Sequence, residues 1–199
     1  MSEHQHSAAR PKRPPRQCAL LLKHLTDCGS YSGMKLIVTV QFDGTQATVA
    51  AVAFDDWDAA EATKTYTSHI AEIDKPVRGQ LDLRELPCVM QLLREHSLAP
   101  EIMLIDGFVH LDANETPGLG QHLHQALGGR VPIVGVSRKG LPGLTAQFEV
   151  MREDEAPPLW VTCAGIDIGA AKARLRAMHG RKRVPTLIKL VARLAKTKD

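Results

Sequence analysis

Two β-patterned runs meet at a tight turn, and this feature constrains the fold most. "KLIVTVQF" is rich in β-branched residues and alternates apolar with polar, so it reads as a strand. Asp43-Gly44 follows, a favoured hairpin dipeptide, and "TQATVAAVAF" runs back as a second strand. A chain that opens on a hairpin must build its sheet from antiparallel strands first. What comes next changes character. A third strand is expected in "ATKTYTSHIAEI". "LRELPCVMQLLREHSL" then has apolar residues at 83, 86, 90 and 93, a helical stripe. "EIMLID" is a short continuous apolar run of the kind found in buried parallel strands. "TPGLGQHLHQAL" restarts as a helix, and "VPIVGVSR" and "LWVTCAGI" are two more strands. "GAAKARLRAMHG" and "TLIKLVARLAK", the latter opened by Pro185, are two more helices. The order β-β-β, then α-β-α-β-β-α-α, predicts an α/β fold: a mixed sheet with antiparallel first strands and helices on its faces.

Residues 1–33, with "ARPKRPPRQ", are expected to form a basic, Pro-rich flexible leader, and the folded domain to run from 34 to 199. No apolar run approaches the ~20 residues that span a bilayer. The four cysteines, Cys18, Cys28, Cys88 and Cys163, make no C-x-x-C pair, and read as free thiols in a reducing cytoplasm. Charge is unevenly spread. Residues 34–171 carry nineteen acidic and ten basic side chains, whereas residues 172–199 carry ten Lys/Arg against one Asp. An acidic centre with a basic flank suits a protein that holds cations and approaches a polyanion, or else simply has a solvated basic helix.

Asp43, Glu85, Asp106 and Asp167 each stand at a strand or helix end. Strand ends in an α/β sheet converge at one edge, where ligands bind. Carboxylates gathered there repel one another unless a cation lies between them, and hard oxygen ligands suit Mg²⁺ or Mn²⁺. Each has an ordinary structural alternative. Asp43-Gly44 is also a plain turn, and an acid such as Glu85 or Asp167 is favoured near a helix N-terminus. Asp106 is the hardest to assign to structure alone, since no capping need is obvious at the end of its strand. His122 and His124 are two residues apart, point to different sides of a helix and form no metal pair. "GLG" at 118–120 lacks the third glycine and the preceding strand of a dinucleotide fingerprint.

Five segments in order resemble the endonuclease V family, whose fold is ribonuclease H-like. "LIDGFVH" resembles its "VDGHG", and "LDLRELPCVMQLL" its "LSFREXPALL". "GLGQHLHQAL" resembles "GLASHLG", "RVPIVGVSRKGLPG" resembles "PTIGVAKKRLCG", and "RVPTLIKLVARL" resembles "RLPEPTRLADRL". The resemblance implies a Mg²⁺-dependent endonuclease that cuts DNA or RNA near inosine; the chain is expected to act in the cytoplasm, as a monomer. By it, Glu85 and Asp106 match metal-binding carboxylates, and Lys139 matches a lysine beside the active site. Asp43 is the candidate fourth catalytic residue and Asp167 a further metal ligand. Arg138, Lys139, Arg181, Lys182 and Arg183 are the candidate nucleic-acid contacts. The departures are specific. The family's first-strand aspartate, in "GVDVS", falls on Gln41, the histidine of "GHG" on Phe108, and the tyrosine of "PYIP" on Pro76. "PGHR" is reduced to "CAGI". These departures favour a second expectation, a nucleic-acid-binding protein that keeps the fold without the chemistry. A third is a ribonuclease H-like enzyme for another phosphate-containing substrate.

Overall fold

A computed structural model describes residues 33–73 and 81–197, the side chains of 81–83 apart. The proposed leader up to residue 32, Pro76, Cys18 and Cys28 lie outside these residues. β1 (Lys35–Asp43) and β2 (Gln46–Phe54) form the hairpin, with Asp43 paired to Gln46 and Lys35 to Phe54. The two-residue turn is therefore Gly44-Thr45, one position later than the Asp43-Gly44 expectation. Gly44 has φ +62, which glycine adopts without strain. β3 (Lys64–Ile70) adds antiparallel to β2.

The chain then crosses through α1 (Leu81–Glu95) to β4 (Ile102–Asp106), parallel to β1, and through α2 (Leu119–Ala126) to β5 (Ile133–Ser137), parallel to β4. After β5 there is no crossover helix. A 3₁₀ turn at Ala146–Phe148 and a two-residue strand, β6 (Glu149–Val150), lead into β7 (Leu159–Ala164), which runs antiparallel to β5. α3 (Ile168–Ala177) and α4 (Thr186–Leu194) close the fold. The seven strands lie in the order β3-β2-β1-β4-β5-β7-β6. Among the described residues the sequence missed β6 and the 3₁₀ turn, both too short to carry a period.

Strand alternation sends alternate residues to two cores. Leu36, Val38, Met103, Ile105 and Ile133 face α1 and α2, where Leu86, Met90, Leu93, Leu119 and Leu123 meet them. Ile37, Leu104, Val134 and Val136 face α3 and α4, packing with Leu175, Leu187, Ile188 and Val191. Each fully buried aliphatic side chain contributes about 1.5–3 kcal/mol of transfer free energy, so the apolar stripe of α4 binds that helix firmly over β1 and β2. Among the described residues no helix is long and apolar enough to cross a membrane. Cys88 and Cys163 are free thiols, as expected.

Candidate functional site

β1, β4 and β5 run in the same direction, so their C-terminal ends open on one edge of the sheet. The residues that continue the alternation toward α4 are Gln41 on β1 and Asp106 on β4. Both line a groove of about 340 Å³. β1 also contributes Thr39 and Val40 to it. The turn after β5 contributes Ser137, Arg138 and Lys139, and the end of α4 contributes Ala192, Ala195 and Lys196.

Three cations therefore surround one carboxylate. Asp106 has no hydrogen bond or ion pair among the described residues, and its side chain is open to the groove. The surrounding protein nevertheless desolvates it and pushes the carboxyl above its ordinary value, while Arg138 and Lys196 pull it partway back. Gln41 directs an amide N–H to the Phe42 carbonyl at 3.2 Å.

The post-β5 turn is built into place. The Ser137 hydroxyl donates to the Lys139 carbonyl (2.9 Å) and accepts from the Lys139 N–H (3.2 Å). Gly140 lies against Trp160, where a Cβ would come within 2.5 Å of the indole. Arg183 reaches across from the loop before α4. Its guanidinium donates to the Pro158 carbonyl at 2.8 Å and also to the Arg138 carbonyl. That loop is itself clasped. Arg152 donates to the carbonyls of Lys182 (3.1 Å), Gly180 (2.8 Å) and Met178, and Glu153 accepts from Lys182 Nζ (3.0 Å) and the Arg183 N–H (2.9 Å). The loop after β4 is held as tightly. The Val109 N–H donates to the buried Thr162 hydroxyl at 2.8 Å, and the backbone of Gly107–Val109 crosses Gly135 where any side chain would collide.

The expected convergence of Gln41, Asp43, Glu85, Asp106 and Asp167 is only partly present. Asp43 pairs at the hairpin end and lines a separate cavity of about 400 Å³ with Thr48 and His69. Glu85 is half-buried on α1, which covers the opposite face of the sheet, and does not line the groove. Burial, and then the Glu85 carboxylate, push the Cys88 thiol up to about 11. Beside Glu85, the Arg84 guanidinium lies over the Phe42 ring, 4.4 Å from its centre. Asp167 follows β7, and because β7 is antiparallel to β5 it sits at the far edge. There it N-caps α3, accepting from the Ala170 N–H at 3.1 Å. Of the candidate nucleic-acid contacts, Arg138 and Lys139 line the groove and Arg181 is exposed, while Lys182 and Arg183 are engaged in the clasp. His124 is structural, its Nδ1 2.8 Å from the Val131 carbonyl.

Sequence reasoning missed Lys196 and Ala192. A signal for Ala192 was present. Laid on residues 183–194, the segment "RLPEPTRLADRL" puts its aspartate at position 192. Two positions where the family segments carry aspartate, 41 and 192, thus face this groove as glutamine and alanine.

The antiparallel β1–β3 meander, the parallel β4 and β5 and the flanking helices define a ribonuclease H-like α/β protein. No family model matches the chain, and no curated protein matches it by sequence. Solved structures do. Bacillus subtilis endonuclease V superposes with a TM-score of 0.68 at 20% identity, covering 82% of this chain and 79% of that one. Human endonuclease V gives 0.65 at 20%, covering 91% and 94%. Ciona intestinalis endonuclease V, in complex with a 23mer DNA containing an inosine followed by a ribo-adenosine, gives 0.67 at 15%, covering 90% and 94%. The fold of this chain is that of endonuclease V.

Proposed function

We propose that this chain is a nucleic-acid-binding protein on the endonuclease V fold, and that the Asp106 groove grips the phosphodiester backbone of DNA or RNA. The observation that carries this reading is the make-up of the groove: Arg138, Lys139 and Lys196 against a single carboxylate. Phosphate contacts need positive charge and donors, and these residues supply both.

The Mg²⁺ or Mn²⁺ implied by the resemblance does not fit the residues present. Among the described residues no three His, Cys, Asp or Glu side chains are grouped to share an ion. A dication at Asp106 would have one anionic ligand and three facing cations, where hard-metal sites gather carboxylates. With Gln41 and Ala192 in the groove, the charge that would hold a metal is missing from the two positions best placed to supply it.

A second reading, a metal-dependent endonuclease cutting near deaminated bases such as inosine, is favoured by one observation. Asp106 and Lys139, both matched to the family's site residues, share the groove. One experiment separates the two. The protein is incubated with inosine-containing and plain DNA and RNA in Mg²⁺, Mn²⁺ or EDTA, and both binding and cleavage are followed. Binding that persists in EDTA without cleavage in either metal supports the proposal. Metal-dependent cleavage that is lost in Asp106→Asn overturns it in favour of the nuclease.

A further inference from the structure

We infer that the nucleic-acid path leaves the groove along α4, with Lys189 and Arg193 as phosphate contacts beyond Lys196. This rests on the nucleic-acid-binding reading above and extends it to a second surface. Residues 172–199 hold ten Lys/Arg side chains, and the structure sorts them by what they already touch. Lys172 donates to the Gln147 carbonyl, and Arg174 lies over Trp57. Lys182 and Arg183 are engaged in the clasp with Glu153 and backbone carbonyls. Lys198 lies outside the described residues. The other five carry no such tie. Arg176 is exposed on α3 and Arg181 in the loop after it, whereas Lys189, Arg193 and Lys196 share one face of α4.

Helix geometry makes these three a stripe. They are four and then three residues apart, the spacing of neighbours on a helix surface. α4 ends at Leu194, but the helical course continues. The Ala195 N–H donates to the Val191 carbonyl at 3.1 Å, and the Lys196 N–H to the Arg193 carbonyl at 3.0 Å, so Lys196 stays in line. Leu187, Ile188, Val191 and Ala195 are buried against the sheet, which turns the basic face outward. The acid near Lys189 is Glu153, and its two oxygens already accept from Lys182 Nζ and the Arg183 N–H.

Lys196 is the junction, because it also lines the groove with Arg138 and Lys139. Ala192, next to Arg193, lines the groove too, and its methyl group raises no barrier between stripe and groove. From position 189 to 196 the helix rises about 10 Å. One strand of a duplex advances ~3.4 Å along its axis per phosphate. The stripe therefore matches about three successive phosphates of a backbone that leads into the groove. A polyanion with regular charge spacing is the partner that fits, since each head group meets one phosphate oxygen set in turn.

The test is a salt titration by fluorescence anisotropy, with the full chain in EDTA and a labelled duplex about two helical turns long. Lys189→Ala, Arg193→Ala and the double variant are compared with wild type. Arg176→Ala removes the same charge from α3, off the stripe. Each stripe substitution is expected to lower the magnitude of the log K against log salt slope by about 0.9, and the pair by about 1.8. Referred to equal affinity at 1 M salt, that is about eightfold and about sixtyfold weaker binding at 0.1 M. Arg176→Ala is expected to keep the wild-type slope. The substituted sites are exposed, and unchanged melting curves verify that the variants fold. A double variant with the wild-type slope overturns the inference and leaves the nucleic-acid reading standing. So does Arg176→Ala if its slope falls as far as that of Arg193→Ala, because net charge alone then sets affinity. Failure of the wild-type chain to bind removes the nucleic-acid reading itself, and this inference with it.

Discussion

Asp106→Asn separates the two functional readings more sharply than any other single change. The substitution removes one negative charge at nearly constant shape from a groove that holds Arg138, Lys139 and Lys196. A phosphate seated among those cations is taken to stand roughly 6 Å from the carboxylate for the Coulomb energy that follows. Two unit charges at that distance repel by about 0.7 kcal/mol at bulk-water dielectric and about 3 kcal/mol at an effective value near 20. Asp106→Asn should therefore tighten duplex binding by about threefold to a hundredfold, the lower end applying as salt screens the groove. The nuclease reading expects metal-dependent cleavage to be abolished. The pH dependence has a definite sign. Burial raises the Asp106 carboxyl, so the wild-type groove loses its negative charge as pH falls through that raised range, and its affinity climbs toward that of the variant. Among the described residues no histidine lines the groove. A full gap at about pH 8 should close toward about pH 4. Anisotropy titrations at the two pH values measure it. A variant that binds more weakly than wild type, or a gap that ignores pH, would refute the argument. Stability gives an independent readout. A folded-state pKa raised above the unfolded one favours folding below the unfolded pKa, and that contribution is lost as pH rises through the folded pKa. Asp106→Asn should thus melt no lower than wild type at neutral pH.

Other changes test the frame around the groove. Gly135→Ala would place a Cβ 2.7 Å from the Gly107 carbonyl oxygen and 2.9 Å from the Val109 nitrogen, both backbone atoms. Overpacking and a strained Val109–Thr162 bond should cost about 2–5 kcal/mol and lower Tm by roughly 4–15 °C. Gly107→Ala, with nothing within 4 Å of its Cβ, should leave Tm within error by the same calorimetry. Asp167→Ala removes the α3 cap and should cost about 1 kcal/mol of stability. It should leave nucleic-acid affinity unchanged, whereas a metal ligand would lose metal-dependent activity. Lys139→Ala and Lys196→Ala should each lower the magnitude of the log K against log salt slope by about 0.9 if each neutralises one phosphate of a duplex. An unchanged slope would exclude that lysine from the contact.

The fold was legible because its signals were long or well punctuated. The alternating runs on either side of Gly44 could only be a hairpin, and "EIMLID" and "VPIVGVSR" were short, apolar and separated by helical stripes. Gln41 and Asp106 could be placed together because parallel strands end at the same edge. Lys196 was invisible at that level. It enters the groove only because α4 buries Leu187, Ile188 and Val191 across β1 and β2, which carries its C-terminal turn to the end of β4. A helix stripe tells which face is buried but not which strand it crosses. Arg183 has contacts that the sequence did not show. In a basic run its charge suggests a polyanion, yet its Nη2 donates to two carbonyls of its own chain.

Asp167 shows how the direction of one strand decides membership of a site. It was grouped with Asp106 because both follow apolar strands, and that inference holds only if the strands are parallel. A parallel neighbour requires a crossover of a dozen or more residues, usually a helix, to bring the chain back to the starting edge. Residues 138–158 between β5 and β7 contain Pro142, Pro157, Pro158, two glycines (Gly140 and Gly143) and the acidic "REDE", with no helical stripe. A connection of that kind holds only the two-residue β6, from which the chain turns back into β7. Antiparallel β7 starts beside Ser137 and ends beside Ile133, and Asp167 emerges at the far edge as the cap of α3. The antiparallel course of β7 is what takes Asp167 away from Asp106. With it removed and Gln41 and Ala192 in the groove, Asp106 is left as the one acid at the centre of a basic surface, the arrangement on which the binding reading stands.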